Sequence, residues 1–320
     1  MKRKIIIDTD PGVDDGMAIQ LALNSEDFEI VGLTTVFGNV SVERATINAL
    51  RLIYISGRPI PVIKGAANPL SGKFNGGVPF VHGEDGQGNT WHEESPLSPL
   101  EISAAKFLEQ QILLSKKEIT IIAIGPLTNL ALALELNPSI AGLVKEIIIM
   151  GGNAFCSGNA TPAAEANVLS DPDAADIVLG AGWPITMVGL DVTHKVLMHN
   201  SLLRKIAEDD NALNKYVAST FPFYRDFFMQ ANKIEGIFVH DSSAIVYCLH
   251  PEFFKTIACA VRVETSSSIS KGKTWPSLGD SDHEEGEALI PWRGRPKVNI
   301  CVDVDVEAVL KIILNRLVCQ

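Results

Sequence analysis

Lys4–Gly16 reads KIIIDTDPGVDDG, and the reading of the whole chain starts there. The apolar run Ile5, Ile6, Ile7 predicts a buried strand, and Pro11 and Gly12 turn the chain at its end. Val13, Met17, Ala18, Leu21 and Ala22 then recur at helical spacing, which places Asp14 and Asp15 at a helix N-terminus. Asp10 falls in the turn just beyond the strand, where open α/β sheets place their ligands. The macrodipole favours acidic residues in a first helical turn, but capping needs one aspartate, whereas Asp8, Asp10, Asp14 and Asp15 make four. If they converge, their repulsion must be offset, and a hard divalent cation with oxygen ligands is the simplest way.

Outward from that stretch, short apolar strands alternate with helical patterns, the signature of a mostly parallel sheet covered on both faces. Strands are expected at 28–36, 61–63, 119–124, 145–150, 185–190, 256–263 and 298–302. Helices are expected at 41–55 with Ser41 as N-cap, at 101–115, from 127, from Asp171-Pro172, over 199–235, over 242–249 and from 305. The fold class is therefore α/β: an open, mostly parallel, mixed sheet with a Rossmann-like core. With no repeat and no obvious linker, one domain over 1–320 is the economical reading. Residues 64–100 form a long stretch rich in glycine, proline and asparagine, and loops of that length inside a compact fold are usually functional. The polar loop 265–296 suggests no role.

Composition narrows the partners. With 27 basic and 38 acidic residues the chain carries a net charge of −11, which argues against nucleic acid and against an anionic membrane surface. No stretch approaches the ~18 apolar residues of a membrane span. Met1-Lys2-Arg3-Lys4 has the charge of a signal-peptide start, but Asp8 interrupts the apolar run after three isoleucines. Five scattered cysteines without CxxC spacing point to reduced thiols and a cytoplasmic location.

Polar residues follow several expected strands at their C-terminal ends: Asp10, Asn39, Asn153 and Asp191, with Gly125 after 119–124. A parallel sheet gathers such ends at one edge, so Asp10, Asp15 and Asp241 can ligate one cation with a carbonyl from the turn after Ile121–Ile124. An aspartate beside a cation-activated water can take its proton. Asn39, Asn159, Glu165 and Asn167 suit a polyhydroxylated substrate, because sugar hydroxyls both donate and accept.

The series DTDPGVDDGMAI, VFGN, VHGEDG, IGPLTNLALAL, IIIMGGN, GNATPAAEANVLSDPDAA, LDVTHK and VHDSSAI resembles the inosine-uridine preferring nucleoside hydrolase family, in order across nearly the whole chain. The resemblance implies hydrolysis of the N-glycosidic bond of ribonucleosides. It places a calcium ion (Ca2+) on Asp10, Asp15, Asp241 and the carbonyl of Ile124, and the ribose hydroxyls on Asp14, Asn39, Asn159, Glu165 and Asn167. Asp10 would serve as general base on the attacking water, with inversion at the anomeric carbon. It also implies a homo-oligomer, a tetramer or a dimer.

For the departing base, His240 is the candidate acid, since it adjoins Asp241 and histidine titrates near neutrality. His82 is open between a base contact and loop support; the other histidines are expected to be structural. Phe228 can stack on a base or pack in the core, while most rings of its cluster, with Phe221, Phe223, Tyr224 and Phe227, are expected to pack inward at helical spacing. Asp8 is expected to point away from the ion as an acceptor at the strand end. Two rival readings exist. A haloacid-dehalogenase-type phosphatase would use Asp8-Thr9-Asp10 and Gly279-Asp280-Ser281-Asp282, but residues 272–276 do not read as the buried strand the second motif needs. A non-catalytic nucleoside binder would not need both a base and an acid.

Overall fold

The computed structural model describes residues 2–278 and 291–318. Its strands are β1 (Arg3–Thr9), β2 (Phe28–Thr35), β3 (Val62–Lys64), β4 (Ile119–Ala123), β5 (Glu146–Met150), β6 (Ile185–Val188), β7 (Leu197–His199), β8 (Gly236–Phe238), β9 (Phe254–Val263), β10 (Thr274–Ser277) and β11 (Lys297–Val304). Its helices are α1 (Val13–Leu23), α2 (Val42–Ser56), α3 (Pro79–His82), α4 (Ala104–Leu114), α5 (Thr128–Leu136), α6 (Ala166–Ser170), α7 (Pro172–Leu179), α8 (Leu190–Thr193), α9 (Asn200–Ala207), α10 (Ala212–Asn232), α11 (His240–Leu249) and α12 (Val306–Leu317).

Among the described residues the main sheet runs β10-β9-β11-β6-β5-β4-β1-β2-β3. Every pairing from β3 through to β11 is parallel, and β9 pairs antiparallel with both β11 and β10. The sheet is therefore mixed and mostly parallel, as expected. The chain builds outward from β1 to β2 and β3, then crosses back to β4 on the other side of β1. That reversal makes the C-terminal ends of β1 and β4 a topological switch point, the crevice where such sheets bind ligands. Ile5 and Ile7 enter one core with α1, α10, α11 and α12, while Ile6 enters the other with α4, α5 and α7. All three are fully buried, each stabilising the fold by roughly 1.5–3 kcal/mol.

Two expected caps form as read. The Ser41 side chain accepts the N–H of Arg44 at the start of α2, and Asp171 accepts the N–H of Ala174 with Pro172 as the next residue. The structure corrects the sequence reading elsewhere. The single helix expected over 199–235 is two, because the Asn211 side chain caps a new start by accepting from Leu213 and Asn214. The strand expected to 190 ends at Val188, and Leu190–Thr193 is helical. The 64–100 stretch contains α3, and the glycine-rich loop after Met150 contains α6. β7 and β8, three residues each, pair antiparallel across the long insertion between them. Thr274–Ser277, read as loop, is a strand at the sheet edge, where Pro276 is tolerated. The acidic run Gly279–Asp282 of the phosphatase reading lies outside the described residues, as do His283 and Cys319. The described cysteines, Cys156, Cys248, Cys259 and Cys301, are free thiols.

Candidate active site

Strand β1 delivers Asp10 to the switch point, and α1 begins three residues later, so its first turn sets Asp14 and Asp15 beside it. Asp15 closes the turn on itself. Its Oδ1 accepts the Thr9 hydroxyl at 2.6 Å and the Asp10 N–H at 3.3 Å, and its Oδ2 accepts the Gly12 N–H at 3.0 Å and the Asn39 side-chain amide at 3.0 Å. Asn39, arriving after β2, also donates its backbone N–H to Asp10 Oδ2 at 2.6 Å. Asp10 Oδ1 is buried with no hydrogen-bond partner. Space around these groups depends on missing side chains: a Cβ on Gly38 would sit 2.0 Å from Asp10 Oδ2, and one on Gly12 would sit 2.7 Å from His82 Nδ1.

From the other end of the chain, Asp241 enters in the first turn of α11. One carboxylate oxygen each from Asp14, Asp15 and Asp241 lies within 4.8 Å of the others, and all three residues are buried. The sequence reading grouped Asp10, Asp15 and Asp241; in the structure Asp14 stands in this cluster, and Asp10 adjoins it through the charges it shares with Asp15 and Asp241. Burial is the first cause of raised pKa values in all four, with mutual repulsion adding for Asp10, Asp14 and Asp241. For Asp14 the value reaches about 7. So many buried carboxylates, one with an orphaned oxygen, match the oxygen-rich shell of a hard divalent cation.

The carbonyl of Ile124, just past β4, accepts the Asn167 side-chain amide at 3.0 Å, and the same amide reaches the Met150 carbonyl at 3.1 Å. Glu165 is the N-cap of α6: its oxygens accept the N–H groups of Asn167 at 2.8 Å, Gly152 at 2.9 Å and Val168 at 3.1 Å. Asn159 is not drawn into this buried group. It is exposed, and its Oδ1 accepts the Ala166 N–H at 3.1 Å.

His82 ends α3 and reaches α1, where its Nδ1 accepts the Val13 N–H at 3.1 Å and lies 4.0 Å from Asp14 Oδ1. Its proton therefore resides on Nε2. His240 pairs Nδ1 with the Thr193 hydroxyl at 2.8 Å. Burial holds both imidazoles neutral, with pKa values lowered to about 3, and for His240 the neighbouring His194 and His82 lower it further. This departs from the near-neutral titration expected of His240, because the sequence does not reveal that its ring is enclosed.

Phe228 is buried on α10 between Tyr224 at 4.9 Å and Phe238 at 5.4 Å, edge-on to both. Tyr224 is the residue that sequence reasoning missed. Its ring stacks on His82 at 5.1 Å, and its hydroxyl interacts with the Asp14 carboxyl, drawing that pKa down against the effect of burial. The available signal was chemical: a buried tyrosine hydroxyl needs a polar partner, whereas the phenylalanines around it do not. Asp8 points away from the cluster, as expected; its Oδ1 accepts from Thr34 and from Asn129 at 2.7 Å, and burial raises its pKa to about 7.

The model of the family described as inosine-uridine preferring nucleoside hydrolase matches residues 5–311. The chain is 41% identical over 318 residues to "Probable uridine nucleosidase 2" of Arabidopsis thaliana, covering 99% of this chain and 98% of that one. It is 38% identical over 274 residues to "Non-specific ribonucleoside hydrolase RihC" of Escherichia coli, covering 86% and 88% respectively. Among solved structures, "Plant nucleoside hydrolase - PpNRh1 enzyme" superposes with a TM-score of 0.95 at 39% identity over 100% of both chains.

Proposed function

The chain belongs to the inosine-uridine preferring nucleoside hydrolase family and is a nucleoside hydrolase, and from that premise we propose calcium-dependent hydrolysis of ribonucleosides, uridine among them, to ribose and free base with inversion at the anomeric carbon. One observation carries this reading: the carboxylates of Asp14, Asp15 and Asp241 converge beside an Asp10 whose Oδ1 is buried and unpartnered. Asp10, Asp15, Asp241 and the Ile124 carbonyl would hold Ca2+, and that carbonyl keeps a second lone pair after bonding to Asn167. When bound, the ion supplies charge that offsets the carboxylates and acidifies the attacking water.

The chain's own residues do the rest. Asp10 takes the water's proton through Oδ1, because Oδ2 is already engaged by Asn39. Asp14, Asn39, Asn159, Glu165 and Asn167 hold the ribose hydroxyls. In this reading Thr193 is the donor in its 2.8 Å pair with His240 Nδ1, which would leave an N–H on Nε2 for the departing base. His82 and Phe228 line the base side with Tyr224. Water attacks opposite the leaving base, so configuration inverts.

The same reading takes 1–320 as one domain, supported by a family match over 5–311 and a sheet that draws strands from both ends of the chain. It also takes the protein as cytoplasmic and as a homo-oligomer, tetramer or dimer, which light scattering would measure. No described helix is long and apolar enough to cross a membrane.

The test is base release from uridine, cytidine, inosine and adenosine with added Ca2+ and with chelator, alongside the 2′-deoxy analogues. Turnover is expected with calcium only, weaker for deoxyribonucleosides, whose missing hydroxyl forfeits transition-state contacts. No release from any ribonucleoside would sink the reading. The first sugar anomer seen by NMR decides the stereochemistry.

A further inference from the structure

The 265–296 stretch suggested no role in the sequence, yet its Lys273 and Thr274 reach the loop that follows β5. The Lys273 ammonium donates to three backbone carbonyls of that loop, Asn153 at 2.5 Å, Cys156 at 3.2 Å and Ala154 at 3.4 Å. Three acceptors match the three N–H donors of a lysine. On the amide side, Asp191 accepts the N–H groups of Ala154 at 2.8 Å and Phe155 at 2.7 Å. The Cys156 thiol stays protonated, its pKa pushed up to about 11 by burial and by the charge of the same carboxylate. Thr274 Oγ1 accepts the Asn153 N–H at 3.0 Å.

Carbonyls face a cation and amides face an anion, so Asn153–Cys156 is gripped from both sides by side chains remote in sequence. Asn153 passes the constraint on: its side-chain amide donates to the Cys156 carbonyl at 3.0 Å and to the Ala163 carbonyl at 2.9 Å, spanning the segment that carries Asn159 and ends at Glu165. Trp275 lies under the ammonium, 5.6 Å from ring centroid to Nζ.

We propose that Lys273, with Asp191 opposite, is a positioning residue that holds the 153–165 loop in its sugar-binding form before substrate arrives. This rests on the ribose contacts proposed above. An ordered loop has its conformational entropy already spent, so its loss weakens substrate binding more than it slows the bond-breaking step.

The test uses the full chain with Lys273→Met, which keeps the stem and removes the charge, with K273R, and with Asp191→Asn as a second, isosteric probe. K273M and D191N are expected to speed amide exchange over 154–165. KM for uridine should rise about tenfold while kcat stays within about threefold, and Ca2+ affinity should hold within about twofold. K273R should recover part of the KM, since it restores charge and donors. Wild-type exchange over 154–165 in both variants, or a KM within twofold of wild type, overturns the proposal. If the wild-type protein releases no base, the proposed reaction fails instead, and the exchange rates still decide whether Lys273 holds the loop.

Discussion

Asn39 donates its backbone N–H to Oδ2 of Asp10 over 2.6 Å, which leaves Oδ1 of that carboxylate as a buried acceptor with no donor. One oxygen is anchored and the other is available for chemistry. Asp10→Asn keeps the shape and can still accept from Asn39, yet it removes the charge and the basicity. Turnover should fall at least about a thousandfold, in the range seen when a positioned base is lost. The melting temperature of the metal-free variant should stay level or rise, because burial and Asp15 already disfavour the Asp10 charge. A variant with more than a tenth of wild-type kcat would remove Asp10 from the mechanism.

Gly38 packs so closely on the same carboxylate that an added Cβ would lie 2.0 Å from Asp10 Oδ2 and 2.9 Å from the Pro126 ring. Gly38→Ala must therefore push Asp10 aside or open the turn between β2 and α2. Overpacking of this kind costs roughly 1–3 kcal/mol. Activity should fall further than stability, since the displaced group is the base. Parallel denaturation and steady-state kinetics would check the ranking, and a fully active variant would contradict it.

Burial raises Asp8 and Asp14 to about 7, and Asp10 and Asp241 well above their ordinary value. Folded values above unfolded ones mean that the contribution is present below about pH 4 and is lost as pH rises through the folded values. The neutral His82 and His240 have the opposite sign, costing stability only as pH falls below about 6.5. Above that pH the histidines add no slope, and the raised thiols of Cys156, Cys248 and Cys301 add to the carboxylates only as pH nears their ordinary value. The chelated protein should lose roughly 5 °C or more of Tm between pH 6.5 and 8.5, while saturating Ca2+ should flatten the slope. Asp8→Asn should reduce the slope and keep calcium binding, because Asp8 bonds to Thr34 and Asn129 away from the cluster. Thermal scans across that window decide it.

Much of this was legible in the sequence because its causes are local. Ile5–Ile7 followed by Asp10, Gly12 and Asp15 specify a buried strand, a tight turn and a helix start within a dozen residues, and the strand alternation carries the rest of the sheet. What stayed hidden depends on distant packing. His240 looks like an ordinary histidine until His194, Phe238 and Thr193 enclose it. Lys273 lies 117 residues from one of the carbonyls it holds. β7 and β8 lie outside the alternation of the main sheet and are defined only by their pairing with each other across α9 and α10.

Tyr224 was hidden in the same way, among phenylalanines on α10, and it supplies the last prediction. Its hydroxyl interacts with the Asp14 carboxyl and its ring stacks on His82, so it ties the helix to both groups beside the acidic cluster. Tyr224→Phe keeps the stacking and the burial but leaves Asp14 without that donor. Removing one partner of a buried hydrogen bond costs about 1–3 kcal/mol where the remaining group cannot reach water. The loss should appear mainly in kcat/KM for ribonucleosides, by roughly tenfold to a hundredfold, with the stacked geometry and most of the stability retained. Adding a second change, Asp14→Asn, should then cost less than it does alone, because the two act through one bond. Equal and independent losses in the double-mutant cycle would show that Tyr224 serves the core and leaves the sugar contact untouched.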